Sequence, residues 1–288
     1  MRSIVSNLSP PTFNFIVTPI ESIYSSDSSD EKQKFMGLLS SVEDETGKED
    51  LLQHLLMLAL QKVAVENNYN KIILGTSTSR IARHVLSSTV KGKGYSLSSD
   101  IHYVNAMWEA PVTLPLRDCT SVELNSVCLI DGLKTVQFPT QPSYSINNLV
   151  SSFVSSLQVD NPSRENTIVR TAGKLTPFSF NVINECDFGS TPLSTIRRVK
   201  KNSINAKEYL RAKLFCLICN CPMKSDEANE IASLKGRCCS SCQFQILPKD
   251  PSKFEHFQSL LPKQSPICPS SLREQIDEFL IYESEEDT

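Results

Sequence analysis

Apolar residues recur along this chain with two different periods, and the changes of period predict its secondary structure. A short β-branched run at Lys71–Leu74 predicts a strand, which Gly75 closes. Apolar side chains then return at helical spacing from Ile81 to Val90, and the sequence Gly92-Lys93-Gly94 predicts the end of that helix. Strand, tight turn and helix form the unit from which parallel α/β sheets are built.

The same periodicity predicts the other elements. Helices are expected at Lys32–Leu39, Glu49–Asn67, Ser121–Leu133, Ser145–Leu157 and Leu272–Tyr282. Strands are expected at Phe13–Val17 and Ser98–Tyr103, a short strand and turn at Thr167–Lys174, and an extended, proline-containing segment at Trp108–Pro115. Short connections between helices and strands predict an α/β fold with a doubly wound parallel sheet.

Composition limits the class of protein. The chain has 288 residues, of which 40% are hydrophobic, so it can form one large or two modest domains. It contains no apolar run of the ~18 residues that a membrane span needs, and its N-terminus has no apolar block of the signal-peptide type. We therefore expect a cytoplasmic protein, in which ten cysteines indicate metal ligation or buried thiols rather than disulfides.

Four cysteines carry the most specific motif in the chain. Cys216, Cys219, Cys239 and Cys242 form two C-x2-C pairs separated by nineteen residues. This spacing predicts a structural zinc ribbon with four thiolate ligands. Additional thiols at Cys221 and Cys238 leave the ligand set ambiguous by one residue in each pair. A redox pair, unligated core cysteines and a sulfur relay are the alternatives.

Charge is distributed unevenly, although the formal net charge is only −3. A basic stripe suited to a phosphate backbone comprises Arg197, Arg198, Lys200, Lys201, Lys207, Arg211 and Lys213. A solvated surface face is the alternative interpretation of this stripe. The last sixteen residues, 273–288, contain one Arg and seven acidic residues and so predict an acidic tail.

The turn after the first strand offers a candidate ligand site, because helix N-termini at strand ends favour anions. Its residues are Gly75, Thr76, Ser77, Thr78, Ser79 and Arg80. A purely structural turn is the alternative.

The segment resembles the second nucleotide-site segment of PP-loop ATP pyrophosphatases that thiolate tRNA, in which the turn is of the Gly-His-Asn-Ala-Asp-Asp type. Here the histidine and both aspartates are replaced, so the turn is a degenerate one. The sequence Pro115-Leu116-Arg117 resembles a retained rim of the same site.

Together with the cysteine motif, the terminal helix and the acidic tail, these segments resemble the cytoplasmic tRNA 2-thiolation protein 2 family. The resemblance implies a non-catalytic, PP-loop-like subunit that pairs with a catalytic cytoplasmic tRNA 2-thiolation protein 1. The pair would act on tRNA with a wobble uridine (U34), using sulfur carried as a thiocarboxylate on the ubiquitin-related modifier. ATP would be used in the partner subunit only. The basic stripe would then contact tRNA.

One departure from this family concerns the start of the chain. The resemblance implies an N-terminal cysteine-rich segment and a Ser-Gly-Gly type PP-loop, and neither occurs in this sequence. We therefore expect an N-terminally truncated member with an incomplete sheet. The predicted divisions are a degenerate PP-loop-like domain at 1–175, a basic linker at 176–210 and a cysteine-rich segment with a final helix at 211–288. The alternative functions are a zinc-ribbon interaction module on an inert scaffold and an independent ATP-dependent sulfurtransferase.

Overall fold

The computed structural model describes residues 14–24, 30–136, 144–161, 163–181, 209–210, 212, 214–224 and 233–262. Its helices are α1 Asp30–Ser41, α2 Glu45–Glu66, α3 Thr78–Val90, α4 Leu97–Ile101, α5 Ser121–Ile130, α6 Ile146–Asp160, α7 Arg164–Ala172, α8 Ser240–Gln245 and α9 Phe254–Leu260. Its strands are β1 Ile72–Ile73, β2 Val104–Asn105, β3 Val112–Thr113, β4 Leu214–Phe215 and β5 Pro222–Met223. In these residues no helix is both long and apolar enough to cross a membrane.

Helix α2 is the longest described element; one of its faces is buried, whereas Leu52, Leu56 and Leu60 on another face are exposed. The Asp44 carboxylate accepts a hydrogen bond from the Gly47 amide at 2.8 Å, so the helix begins four residues before the predicted Glu49. Leu51 and Leu55 are fully buried. The predicted helix is therefore confirmed, with its start decided by a side-chain cap.

The strand, turn and helix predicted from Lys71 onward are also confirmed. Strand β1 pairs in parallel with β3, with Ile72 opposite Val112. Strand β2 pairs with β3 in the antiparallel direction, which gives the order β1-β3-β2. The described residues thus form a mixed α/β structure with a small mixed sheet, and the doubly wound parallel sheet of the PP-loop type stays a prediction.

Three predicted strands are not observed. The segment predicted at Ser98–Tyr103 begins as helix α4, and most of the one predicted at Thr167–Lys174 lies in helix α7. Residues 14–17 have no regular secondary structure. Short apolar runs do not distinguish a strand from a buried helix, and α7 is helical where Val169 and Ala172 are buried in the core.

Helices α5 and α6 confirm two further predictions within a few residues at their ends. The predicted helix at Leu272–Tyr282 lies outside the described residues, as does the acidic tail.

The buried apolar side chains join the cysteine segment to the helices. Leu38 of α1 and Leu51 of α2 belong to the same cluster as Ile218, Met223 and Ile246. Gly47 in the first turn of α2 lies so close to α8 that a Cβ atom there would be 2.0 Å from the Gln245 carbonyl oxygen. The cysteine segment therefore packs directly on α2. The division of the chain at 1–175, 176–210 and 211–288 stays a prediction.

Candidate metal centre

The first cysteine pair lies at the tip of a two-stranded hairpin. Strands β4 and β5 are antiparallel, with Leu214 opposite Met223. In the tip, the Cys216 amide donates to the Cys221 carbonyl at 2.9 Å and the Asn220 amide donates to the Cys216 carbonyl at 3.0 Å. Asn220 has a φ of +54°, a left-handed conformation that Asn tolerates better than most residues. This turn directs Cys216 and Cys219 to one side.

The second cysteine pair lies at the start of α8. Cys239 is the residue before the helix and Cys242 lies in its first turn. Two backbone contacts join the pairs: the Leu217 amide donates to the Arg237 carbonyl at 2.9 Å, and the Cys239 amide donates to Cys216 Sγ at 3.3 Å. An amide aimed at a sulfur favours the thiolate form, which is the form that binds metals.

The four sulfur atoms lie close enough together to hold a metal ion. The Sγ atoms of Cys216, Cys219, Cys239 and Cys242 all lie within 4.8 Å of one another. The Sγ atoms of Cys219 and Cys239 are 3.7 Å apart, and a tetrahedral site with Zn–S bonds of ~2.3 Å places its sulfurs about 3.8 Å apart. Cys216 and Cys242 are fully buried, as in closed structural sites.

The two additional thiols lie beside this group. Cys221 and Cys238 are buried, but the four sulfurs that come together in the described residues are those of the two C-x2-C pairs. Burial opposes ionisation of Cys216, yet hydrogen bonds from neighbouring thiols bring its pKa well below the usual value. Hydrogen bonds with Cys216 and Cys219 raise the pKa of Cys242. The thiols thus share protons, and a bound divalent cation would hold all four ligands as thiolates.

Charged side chains from α2 and from the loop after α3 form an ion-pair group beside the cysteine site. Lys91 Nζ donates to both carboxylate oxygens of Asp50, at 2.8 and 2.7 Å. Lys93 Nζ lies 3.9 Å from the same carboxylate, and its side chain is only 16% exposed. Burial tends to lower the pKa of Lys93, but the sulfurs of Cys219, Cys242 and Cys239 and the Asp50 carboxylate raise it overall, so Lys93 stays charged.

His54 lies on α2 near the same sulfurs. Burial lowers its pKa, against the opposing effect of Cys219 and Cys216, so its imidazole is neutral at pH 7. Its ring centroid is 6.3 Å from that of Trp108.

The degenerate turn lies at the other end of α3 and is largely enclosed. Ser77, Thr78 and Ser79 are buried, whereas Gly75 and Arg80 are exposed and Thr76 is half-buried. The Thr78 hydroxyl donates to the Arg117 carbonyl at 2.8 Å, and the Thr78 amide donates to the Cys119 carbonyl at 2.9 Å. The structure therefore brings the segment Pro115-Leu116-Arg117 against the turn.

Glu165 completes this turn and was missed by the sequence analysis. It is 1% exposed, and its Oε2 accepts a hydrogen bond from the Ser79 hydroxyl at 2.6 Å. Its Oε1 is buried without a hydrogen-bond partner in the described part of the chain. The first turn of α3 contains no acidic residue of its own, so a carboxylate from α7 occupies the anion-favouring end of α3. Glu165 lies eighty-six residues from Ser79, and no local sequence signal indicates this contact.

The seven basic residues proposed to contact RNA cannot be placed. Arg197, Arg198, Lys200, Lys201, Lys207, Arg211 and Lys213 all lie outside the described residues.

Fold and site together define an α/β protein with a closed four-cysteine cluster suited to a metal ion. The family model for cytoplasmic tRNA 2-thiolation protein 2 matches residues 145–255, which include all four cysteines of the cluster. The chain is 50% identical to the cytoplasmic tRNA 2-thiolation protein 2 of Arabidopsis thaliana, over 99% of this chain and 66% of that relative. It is 43% identical to the protein of the same name from Oryza sativa subsp. indica, over 99% of this chain and 65% of that relative.

A more distant relative of the same name, from Danio rerio, is 34% identical over 48% of this chain and 29% of its own length. The chain belongs to the cytoplasmic tRNA 2-thiolation protein 2 family. It spans less than two thirds of the length of the two plant relatives that it matches.

Proposed function

We propose that this chain acts in the cytoplasm as part of a non-catalytic subunit of the complex that 2-thiolates the wobble uridine of tRNA. Its partner would be the catalytic cytoplasmic tRNA 2-thiolation protein 1, and the ubiquitin-related modifier would supply the sulfur. The observation that carries the proposal is the 50% identity to a relative of that name, which extends over 99% of this chain.

The four-cysteine cluster is proposed as a structural zinc site within this subunit. Cys216, Cys219, Cys239 and Cys242 would hold the ion, and their sulfur separations support this assignment. A structural site with four protein ligands leaves no open position for substrate, so zinc would stabilise the fold rather than take part in sulfur transfer.

The contacts of the degenerate turn support a non-catalytic role. A nucleotide phosphate at the N-terminus of α3 would need the hydroxyls and amides of the turn. Thr78 instead bonds the Arg117 and Cys119 carbonyls, and Ser79 bonds Glu165. The carboxylate of Glu165 would also repel a phosphate there. ATP would therefore be used in the partner subunit, and this chain would contribute tRNA contacts through the basic stripe at residues 197–213.

A test of this function is complementation of cells depleted of the protein. We expect the 2-thiouridine of cytosolic tRNA, measured by mercury-gel retardation, to fall on depletion and to return when the wild-type chain is expressed. The double variant Cys216→Ser/Cys239→Ser should fail to restore it. Cys128→Ser is the matched control, because Cys128 lies on α5 and outside the cluster.

The other outcomes separate the alternatives. Unchanged thiolation after depletion would refute the proposal and favour a zinc-ribbon interaction module without a link to RNA. Restoration only by a longer form would keep the family role and assign essential residues to segments that this chain lacks. ATP–pyrophosphate exchange by the purified chain alone would indicate an independent sulfurtransferase instead.

A further inference from the structure

The loop that follows α3 contacts the segment that carries the four cysteines at two points. Gly92, with a φ of +77°, accepts a hydrogen bond through its carbonyl from the Ser240 hydroxyl at 3.5 Å, and Ser240 lies between the metal-site cysteines Cys239 and Cys242. On the other side, Lys224 Nζ lies over the Tyr95 ring, 5.6 Å from its centroid, directly after strand β5 of the hairpin. Lys93 and Gly94 are the two loop residues between these contacts.

Lys93 is held in this position by backbone and by charge. Its amide donates to the Ser88 carbonyl at 2.8 Å, which fixes the loop to the last turn of α3. Its side chain is largely buried with Nζ 3.9 Å from the Asp50 carboxylate, and the sulfurs of Cys219, Cys239 and Cys242 act to raise the pKa of Lys93. Burying a charged lysine ammonium costs free energy unless a nearby negative charge compensates it.

Lys91 and Lys93 differ in how closely each pairs with Asp50, and Lys93 is the one whose charge also acts on the four-cysteine cluster. Asp50 is already paired by Lys91, whose Nζ contacts both carboxylate oxygens at 2.7 and 2.8 Å, whereas Lys93 Nζ is 3.9 Å away. Lys91 therefore makes the closer ion pair with Asp50, and Lys93 is shared between Asp50 and the cysteine side of the site. Four thiolates around a divalent zinc ion carry a net charge of −2, which is unfavourable in a buried site.

We infer that Lys93 compensates the excess negative charge of a zinc ion bound by the four cysteines, and thereby tightens zinc binding at this site. The inference rests on the proposed zinc site. It assigns an effect on the zinc affinity of that site to a residue from the loop after α3, outside the cysteine segment. It also links the metal to the helix that the degenerate turn precedes, because Lys93 lies in the loop that follows α3.

The experiment is a zinc competition titration of the purified chain against a chromophoric chelator. Removing residues that support metal ligands typically weakens binding 10–100-fold, so we expect Lys93→Met to weaken zinc binding by about that factor. Lys93→Arg keeps the positive charge, so we expect its zinc affinity to stay within about a few-fold of wild type and above that of Lys93→Met. Lys48→Met is the matched control, because Lys48 is an exposed lysine paired with Glu45 on α2.

Further measurements separate the inference from the site on which it rests. Lys93→Gln provides a second neutral variant if Lys93→Met does not fold, with far-UV circular dichroism as the check on folding. Cobalt(II) absorption should keep the tetrahedral four-thiolate signature in every folded variant. Equal zinc affinity of wild type and the neutral variants would overturn the role of Lys93, whereas a wild-type chain that binds no zinc would overturn the proposed zinc site itself.

Discussion

At the scale of single residues, one polar side chain fixes how the sheet meets α2. Gln61 interrupts the apolar run of α2 in the sequence, yet it is fully buried. Its Nε2 donates to the Ala110 carbonyl at 2.9 Å, and its Oε1 accepts from the Ala110 amide at 3.1 Å. Both backbone groups of a buried residue are thus satisfied by one amide, and the segment that leads into β3 is held against α2.

This pairing predicts a large effect from a substitution that preserves size. Gln61→Leu would leave the Ala110 amide and carbonyl buried without partners, at a cost of about 1–3 kcal/mol for each group. We expect a loss of about 2–4 kcal/mol in the free energy of unfolding, measured by urea denaturation. Gln53→Leu is the control, because Gln53 is exposed on the same helix and should change stability by less than about 0.5 kcal/mol. Equal effects of the two substitutions would contradict the role of Gln61.

At the scale of elements, the N-terminal turn of α2 and the end of α8 approach more closely than side chains allow. Gly47 makes the approach possible, because a Cβ atom there would lie 2.0 Å from the Gln245 carbonyl oxygen and 2.7 Å from its carbon. Alanine is the better helix former by about 1 kcal/mol, so helix propensity alone would favour alanine at this position. The contact between elements reverses that preference.

Gly47→Ala should therefore destabilise the protein by about 2 kcal/mol or more, since backbone rather than a movable side chain must shift. Thermal unfolding of the purified chain measures this effect. Gly75→Ala is the matched control, because a Cβ at Gly75 would have no heavy atom within 4 Å. The prediction fails if both alanine variants melt at the wild-type temperature.

Helix α5 has apolar residues that are exposed rather than packed against another element. Its start was predicted at the observed residue, and a reciprocal capping box between Thr120 and Glu123 explains that start. Its apolar positions, however, are not buried: Leu129 and Ile130 are each 82% exposed. Periodicity therefore identified the helix correctly, although the apolar residues that produced the periodicity do not face the core in the described structure.

At the scale of the whole molecule, the cysteine segment and the helices share one core. Cys216 and Ile218 belong to the same cluster of buried side chains as Leu51 and Leu55 of α2. If zinc is bound at the cluster, its binding free energy contributes to the folding of this core as well as to the hairpin. The metal would then be a determinant of global stability.

Chelation of the metal-loaded chain should accordingly lower one cooperative unfolding transition by several degrees. The single tryptophan, Trp108, belongs to the shared core and lies outside the cysteine segment in sequence, so its fluorescence reports on that core. We expect Trp108 fluorescence and far-UV circular dichroism to lose their folded signals together, at the same lowered temperature. Two separate transitions, with the Trp108 signal unchanged by chelation, would instead indicate an independently folded cysteine domain.

The sequence by itself determined the features that depend on residues close together in the chain. The helical period of α2, the strand and turn before α3 and the spacing of the two cysteine pairs are local patterns, and the structure contains each of them. The resemblance to the thiolation family, which depends on the same motifs, is confirmed as well.

Tertiary structure decided everything that depends on contacts between distant segments. Helices α4 and α7 replace two predicted strands, because short apolar runs take the conformation that their packing partners require. Glu165 reaches Ser79 across eighty-six residues, and Lys93 reaches the cysteines across more than one hundred. Local periodicity describes which face of an element is apolar, but it contains no information about which element will lie against that face, since that choice is made by packing of the whole core.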